Sequence, residues 1–198
     1  MRDAPLSPEQ WQELPPYSRA VVFAAWAHRA QRRKWPPVDY LRHPLEVAAL
    51  LSRLGAAEPT LLAAVLHDTV EDTEASLEQI ERRFGAEVAG LVGELTNPAA
   101  LRRQERLAYF RRKMGELSLP ALQIKLADRL HNLEDCRRAP PDFRARYCAE
   151  AQAMLQAIPA ARRADRIVAA LAAAIDAVVR ELSGGAEPAG GGGEGPER

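Results

Sequence analysis

The 198-residue sequence has little of what marks several specialised classes of protein. Its 27 basic and 27 acidic residues cancel, so the charge favours neither a nucleic-acid-binding protein nor a membrane-surface protein. The only two cysteines, Cys136 and Cys148, lack CxxC spacing and the density of a disulfide scaffold, which indicates a reducing compartment. No apolar run is long enough to span a bilayer, and the N-terminus lacks the hydrophobic core of a signal peptide. We therefore expect a soluble, cytoplasmic protein that binds neither nucleic acid nor membrane.

Strand-like alternation is also almost absent, whereas helical periodicity recurs from about residue 17 to residue 182. The segment SLEQIERRFG, residues 76–85, begins with a capping box and ends at a glycine, as helices commonly do. The other periodic segments are 18–31, 43–55, 60–70, 86–95, 100–115, 120–137, 142–157 and 160–182. The sequence therefore predicts an all-α protein, a bundle of about eight or nine helices joined by short loops.

Three segments depart from this helical pattern. Residues 1–16 form an N-terminal extension to the predicted domain, 17–182, and the Gly-, Pro- and Glu-rich residues 183–198 are expected to be a disordered tail. Within the domain, RRKWPPVDYLR (32–42) contains two consecutive prolines, which exclude a helix there. We interpret it as a basic, aromatic loop.

The stretch AVLHDTVEDTEAS, residues 64–76, places one histidine and four carboxylates directly after an apolar run. On a continuous helix His67 aligns with Glu71, and Asp68 with Asp72, because residues four apart share a face. Carboxylates so close together repel each other unless a cation or solvent relieves them, and a divalent metal suits imidazole and carboxylate ligands. An acidic helix C-terminus that is followed by a solvated loop would account for the same residues. The stretch alone leaves both interpretations open.

Two distant segments supply further candidates. In KLADRLHNLED (125–135), Asp128 lies on an otherwise apolar helix and needs a partner, either a metal or an arginine. Asn132 follows one turn later on the same face. In YLRHPLEVA, His43 stands at the start of a helix. Taken singly, such a histidine is more often structural than a metal ligand.

Together these residues follow the H…HD…D order of the HD-domain metal-dependent phosphohydrolases, which the sequence resembles. The segments AHRAQRRK, YLRHPLEVAALL, AVLHDTVEDT, LEQIERRFGAEVAGLVGELT and KLADRLHNLED follow one another as in the hydrolase domain of RelA/SpoT-family alarmone enzymes. They span about residues 24–135. An HD pair alone is a weak signal, but HDTVEDT followed at this distance by KLADRLHNL is a strong one.

The resemblance implies an HD-domain helical bundle that binds one divalent metal ion, usually Mn²⁺. The implied metal ligands are His43, His67, Asp68 and Asp128. It also implies that Glu71 and Asp72 orient or deprotonate the attacking water. The implied reaction removes the 3′-pyrophosphate of (p)ppGpp and yields GDP or GTP, with the metal ion activating water and stabilising phosphoryl charge.

The resemblance assigns nucleotide contacts as well. Arg33 and Lys34 in the basic loop are expected to approach the base and the charged groups of a guanosine polyphosphate, and Asn132 its ribose and phosphates. The loop departs from the family in WPPVD, which lacks the usual glycine and is one residue longer, and this bears on the pose of the base. No synthetase domain follows residue 182, so we expect a stand-alone small alarmone hydrolase, of an oligomeric state that the sequence does not indicate.

Two other functions fit the same motifs. One is a phosphohydrolase that acts on another nucleotide such as NADPH, on which metazoan relatives of the family are known to act. The other is a non-catalytic HD module that binds alarmone as a sensor. The presence of both Glu71 and Asp72 speaks against the sensor, because binding alone requires neither.

Overall fold

The computed structural model describes residues 6–98 and 100–184, apart from the side chains of residues 8, 103 and 184. Its α-helices are α1 (Pro8–Glu13), α2 (Pro16–Ala27), α3 (Arg42–Arg53), α4 (Glu58–Leu66), α5 (Thr69–Asp72), α6 (Leu77–Phe84), α7 (Ala86–Leu95), α8 (Arg106–Glu116), α9 (Leu119–Asp135), α10 (Pro141–Gln156), α11 (Ala160–Arg163) and α12 (Arg166–Gly184). Two 3₁₀ turns lie at Arg103–Glu105 and Cys136–Arg138. In these ranges the only β pairing is an isolated bridge between Arg32 and Asp39. The predicted all-α class is confirmed.

The described chain has twelve α-helical segments, more than the eight or nine predicted. Two short interruptions and the additional helix α1 account for the excess over nine, because periodicity does not reveal a break of two residues and α1 lies in the predicted N-terminal extension. The predicted helix 60–70 stops at Leu66 and resumes at Thr69. The predicted helix 160–182 is divided before Arg166, where the Asp165 carboxylate accepts hydrogen bonds from the amides of the next helix, at 2.9 Å from the nitrogen of Val168.

Helix α9 runs through the middle of the bundle and packs against α3, α4, α7, α10 and α12. Its apolar side chains, among them Ile124, Leu126 and Leu133, are buried, and this burial is the main stabilising contribution to such a core. Polar residues of the same helix, including Asp128 and His131, are buried with them. Buried polar groups need partners inside the protein. His131 finds one on α3 and Arg129 one on α10, and the half-buried Asn132 accepts from Arg33 in the loop between α2 and α3.

Both ends of the predicted domain continue into helix. Within the predicted extension, α1 is capped by Ser7, and its Trp11 packs edge-on against Phe84 with ring centroids 6.0 Å apart. At the other end α12 reaches Gly184, so the first two residues of the predicted tail are helical, and residues 185–198 lie outside the described residues. The division into 1–16, 17–182 and 183–198 stays a prediction. None of the helices described here is both long and apolar enough to cross a bilayer.

The predicted basic loop is indeed non-helical and joins α2 to α3. The chain turns back on itself there: the amide of Arg33 donates to the carbonyl of Val38 at 2.8 Å, and the amide of Tyr40 to the carbonyl of Gln31 at 3.2 Å. Proline at 36 and 37 prevents helix. The fold back brings the basic residues of the loop against the C-terminal half of α9.

Candidate metal centre and adjoining pocket

Three residues that are far apart in sequence meet at the centre of the bundle. His43 comes from the first turn of α3, His67 from the end of α4 and Asp128 from the middle of α9. One potential ligand atom of each lies within 4.8 Å of the other two, and all three residues are buried. Oδ1 of Asp128 is 3.3 Å from Nε2 of His43 and 4.0 Å from Nε2 of His67.

Asp68 borders this group. Its carboxylate lies 3.2 Å from Nε2 of His67 and 3.5 Å from Nε2 of His43. On a continuous helix adjacent side chains diverge by about 100°, but the interruption between α4 and α5 allows His67 and Asp68 to face the same place. Asp68 does not belong to the group of three whose ligand atoms all lie within 4.8 Å. Its role as a fourth ligand stays a prediction.

The ring of His67 is oriented for a cation. Its Nδ1 lies 2.8 Å from the carbonyl oxygen of Ala64, and because a carbonyl can only accept, Nδ1 carries a proton, so that in the neutral ring it is Nε2 that presents its lone pair. Nε2 is buried, has no hydrogen-bond partner and faces the carboxylates of Asp68 and Asp128. A lone pair aimed at carboxylate oxygens is unfavourable unless a positive charge lies between them. Imidazole nitrogen and carboxylate oxygen together form a donor set that suits a divalent transition metal.

Without a metal ion a proton takes the same place. Burial opposes the charge on His67, but the negative charge of Asp68, with a contribution from Asp128, outweighs it and raises the pKa of His67 to about 9. Burial lowers the pKa of His43, since the nearby carboxylates offset it only in part. The site therefore attracts positive charge strongly at His67 and holds His43 neutral.

Asp128 is kept ionised by its neighbours on α9. Burial would favour its neutral form, but the Lys125 ammonium, 3.2 Å from Oδ2, and the nearby histidines hold the pKa of Asp128 well below its usual range. The side-chain amide of Asn132, one turn later, donates to Oδ1 of the same carboxylate. Oδ2 of Asp128 thus pairs with the Lys125 ammonium, whereas Oδ1 faces the two histidines.

Tyr40, which the sequence did not single out, connects two of the acidic residues. Its hydroxyl lies 2.7 Å from Oδ2 of Asp68 and 3.0 Å from Oδ2 of Asp72, so one proton is shared between two carboxylates. The ring is stacked on His28, with centroids 4.7 Å apart. Partial burial and the charge of Asp68 raise the pKa of Asp72 to about 6, against the opposing effect of the Tyr40 hydrogen bond. A tyrosine three residues before His43 carries no sequence signal for this contact.

Glu71 is placed differently from its neighbour. Its carboxylate accepts hydrogen bonds from the backbone nitrogen of Asn97 at 2.9 Å and from the Asn97 side-chain amide at 3.0 and 3.2 Å. The continuous helix that the sequence predicts through His67 and Glu71 is interrupted between Leu66 and Thr69. Asp68 and Asp72 keep the expected spacing of one turn, with the amide of Asp72 on the carbonyl of Asp68 at 2.9 Å.

The three predicted nucleotide-contacting residues line one cavity of about 230 Å³ next to the metal centre. Arg33 and Lys34 are two of the three basic residues in its lining, which also contains Asp135. Two lining residues, Asn132 and Tyr40, contact the carboxylates of Asp128 and Asp68 directly, which places the cavity beside the metal centre. A cavity with three basic lining residues beside a candidate metal centre suits an anionic ligand whose reacting group reaches the metal.

Three residues of the cavity lining carry aromatic rings that form a row, the aromatic wall. Trp35 lies 5.1 Å from Phe143, and Phe143 is stacked on Tyr147 at 5.2 Å, centroid to centroid. Of these, Trp35 and Phe143 were not predicted as site residues. The guanidinium of Arg33, another lining residue, donates to Asn132 at 2.7 Å and to Asp135 at 2.7 and 3.1 Å. The cavity lining therefore combines flat aromatic rings with basic side chains.

Comparison with known proteins agrees with this geometry. Residues 20–167 match the HD domain family. The guanosine-3′,5′-bis(diphosphate) 3′-pyrophosphohydrolase of Xenopus tropicalis is 44% identical over 126 residues, which are 62% of this chain and 70% of the relative. The human protein of the same name is 43% identical over 126 residues, with the same coverage. A probable enzyme of this name from Synechocystis is 38% identical over 138 residues, but these make up only 18% of that longer protein.

Comparison with solved structures also finds proteins of similar fold. A metazoan ortholog of SpoT, described as hydrolysing ppGpp, superposes with a TM-score of 0.76 at 34% identity, covering 85% of this chain and 96% of the ortholog. A protein of Listeria monocytogenes matches less well, with a TM-score of 0.56 at 28% identity over 70% of this chain. Because the family match spans most of the chain and includes all three residues of the metal group, this protein belongs to the HD domain family.

Proposed function

We propose that this protein is a metal-dependent hydrolase that removes the 3′-pyrophosphate of (p)ppGpp and yields GDP or GTP and pyrophosphate. The observation that carries the proposal is the convergence of His43, His67 and Asp128 beside a cavity lined by basic and aromatic residues. The names of relatives at 44% and 43% identity support the choice of substrate.

Asp68 completes the proposed ligand set, and Mn²⁺ is the proposed ion. Asp68 already lies within 3.5 Å of both imidazole nitrogens, and two imidazoles with two carboxylates are ligands that Mn²⁺ accepts. Such an ion, when bound, lowers the pKa of a coordinated water and stabilises negative charge on phosphoryl oxygens. The Lys125 ammonium, at 3.2 Å, holds Asp128 ionised and in place.

Asp72 is the proposed general base. With a pKa of about 6 it is ionised at neutral pH, and it is basic enough to accept a proton from water. Tyr40 fixes the position of its carboxylate relative to Asp68. Glu71, held by Asn97 at the end of α7, is proposed to orient the water from the other side.

The nucleotide is proposed to occupy the cavity with its base between the Arg33 guanidinium and the aromatic wall. Arginine and aromatic planes both stack on bases, whereas lysine acts on phosphate as a point charge. Lys34 is therefore assigned to the phosphates. Asn132 lies between the cavity and Asp128, where it is proposed to contact the ribose or the 3′-phosphates while it orients the metal ligand.

A parallel assay tests the substrate. The purified protein with Mn²⁺ is incubated with ppGpp, pppGpp, NADPH and a deoxynucleoside 5′-monophosphate, and products are separated by ion-exchange chromatography. We expect GDP and GTP from the first two, with release of pyrophosphate in equal amount. Turnover of NADPH alone would move the protein to the other nucleotide class, and turnover of the monophosphate alone would refute the proposed substrate.

A further inference from the structure

We propose that His131 and Glu46 are positioning residues, which fix the tautomer and the ring orientation of His43 for the metal ion. The inference rests on the proposed metal centre but concerns two residues outside the ligand set. It predicts an effect on metal affinity that is measured without any substrate.

The three side chains form a row that leads away from the metal group. Nδ1 of His43 lies 2.9 Å from Nδ1 of His131, and Nε2 of His131 lies 2.8 Å from Oε2 of Glu46. His43 is 1% exposed and His131 6% exposed, so water does not compete for the contact between them. On the far side of its ring, Nε2 of His43 faces Asp128 at 3.3 Å.

The row follows from the pairing of α3 with α9. His43 and Glu46 are three residues apart on α3, and Asp128 and His131 are three residues apart on α9. Residues with this spacing share a helix face. Where these two faces meet, α3 contributes His43 and, one turn later, Glu46. Helix α9 contributes Asp128 and, one turn later, His131.

The protons of the row have one arrangement that is compatible with a metal ion. A ligand nitrogen must present its lone pair, so binding through Nε2 puts the proton of neutral His43 on Nδ1. Nδ1 of His131 must then accept it, which leaves the proton of His131 on Nε2. That proton is donated to Glu46, whose carboxylate can only accept.

Glu46 therefore selects this tautomer over the opposite one. If Nδ1 of His131 donated to His43, neutral His43 would carry its proton on Nε2, where it would point at Asp128 and block the metal. With Nδ1 of His131 protonated, neutral His131 would present the Nε2 lone pair to the Glu46 carboxylate at 2.8 Å, which is repulsive. Hydrogen bonds from a ligating histidine to an outer acceptor are a general way of fixing its tautomer and orientation.

The other charged groups around the row leave this arrangement intact. Nε of Arg42 is 2.6 Å from Oε1 of Glu46, so Oε2 stays available to His131. Burial works against ionisation of Glu46, but its hydrogen bonds from Arg42 and His131 lower its pKa, which keeps the acceptor charged. Asp135 is 4.0 Å from Nδ1 of His131, beyond hydrogen-bond distance, and is held by Arg33.

The test compares two substitutions of His131, one that keeps a hydrogen-bond acceptor and one that keeps only the packing. His131→Asn places an amide oxygen near the former Nδ1 and can still accept from His43, whereas His131→Leu fills the space but accepts nothing. The affinity for Mn²⁺ is measured from the electron paramagnetic resonance signal of the free ion, and thermal unfolding of the metal-free proteins is recorded alongside. We expect His131→Leu to weaken Mn²⁺ binding about 10–100-fold and His131→Asn to stay within about threefold of wild type.

A double-mutant cycle tests whether Glu46 acts through His131. Glu46→Leu is expected to weaken Mn²⁺ binding as His131→Leu does. The double variant Glu46→Leu, His131→Leu is expected to bind Mn²⁺ no more weakly than His131→Leu alone, since the effects of coupled residues are not additive. Additive losses would show that Glu46 does not act through the histidine. Unchanged affinity in His131→Leu, or a greater loss in His131→Asn than in His131→Leu, would overturn the inference. Neither result depends on which nucleotide is hydrolysed, so the proposed substrate stands or falls separately.

Discussion

The hydroxyl of Tyr40 joins Asp72 to the metal centre, because it lies 3.0 Å from Oδ2 of Asp72 and 2.7 Å from Oδ2 of Asp68. A single proton between two carboxylates reduces their repulsion and keeps the proposed base at a fixed distance from a proposed ligand. Gln31 adds to this, since its side-chain amide donates to the backbone carbonyl of Asp72 at 2.6 Å. The position of Asp72 is thus set by residues of the loop that precedes α3.

The Tyr40→Phe variant tests this relationship through the pH dependence of turnover. The Tyr40 hydrogen bond lowers the pKa of Asp72, which stands at about 6, so its removal raises that pKa. A general base acts in its ionised form, and activity is therefore lost as pH falls through the pKa. We expect the acid limb of the kcat/KM profile to move to higher pH in Tyr40→Phe. An acid limb at the same pH in both proteins would mean that Asp72 does not titrate in it.

Substitution of the acidic pair separates catalysis from binding. Glu71→Gln with Asp72→Asn is expected to lower kcat by about 10²–10⁴-fold, which is the usual contribution of a positioned general base. Nucleotide affinity and metal content should change little, because neither residue belongs to the metal group. Isothermal titration calorimetry with ppGpp measures the nucleotide affinity, and elemental analysis measures the metal content. Glu74→Gln removes a neighbouring exposed charge and is the matched control. A double variant that hydrolyses ppGpp at the wild-type rate would remove both residues from the mechanism.

The main features of the fold were predictable from the sequence because they depend on local residue patterns such as helical periodicity and helix caps. Helix α7 was predicted with its observed bounds, and α6 to within a residue, since caps and a terminal glycine mark their ends. The break between Leu66 and Thr69 was not predicted, because LLAAVLHDTV continues the periodic pattern without a proline or glycine. At this break the imidazole of His67 hydrogen-bonds to the carbonyl of Ala64 in the preceding turn, and Asp68 accepts a hydrogen bond from Tyr40, a contact between distant residues that local propensity does not contain.

The site was predictable to the extent that its residues stand in recognisable motifs. His43, His67 and Asp128 do, and the structure brings them together. The wall formed by Trp35 and Phe143 does not, since one residue lies in an atypical loop and the other about 100 positions later on α10. Such contacts arise only when the bundle is assembled, and a sequence pattern with a period of a few residues carries no trace of them.

The charge on His67 predicts a pH dependence that differs between metal-free and metal-bound protein. The pKa of His67 in the folded, metal-free protein is about 9, above its ordinary value of about 6.5. A raised pKa stabilises the fold fully below about pH 6.5, and that contribution is lost as pH rises through about 9. We expect the Tm of metal-free protein to fall between pH 6.5 and 9.5.

Two comparisons make this prediction specific. Saturating Mn²⁺ should abolish the decrease in Tm over that range, because a ligated imidazole no longer binds the proton. His67→Gln should show a smaller decrease than the metal-free wild type. In addition, apparent Mn²⁺ affinity should rise about tenfold per pH unit up to about pH 9, as one proton is displaced. Equal pH dependence in wild type and His67→Gln would contradict the assignment of the charge to this residue.

Trp35 provides a test of where the base binds. It lines the cavity beside Lys34 and contacts Phe143 at 5.1 Å between centroids. Stacking of an aromatic side chain on a base contributes about 1–3 kcal/mol, so Trp35→Ala should raise KM for ppGpp about tenfold or more while kcat stays close to wild type. Trp35→Phe keeps a ring and should retain most of the affinity. Inorganic pyrophosphate, which has no base, serves as the internal control: its inhibition constant should be the same in all three proteins. If Trp35→Ala weakens pyrophosphate as much as ppGpp, the tryptophan acts on the phosphates or on the loop as a whole, and the base lies elsewhere.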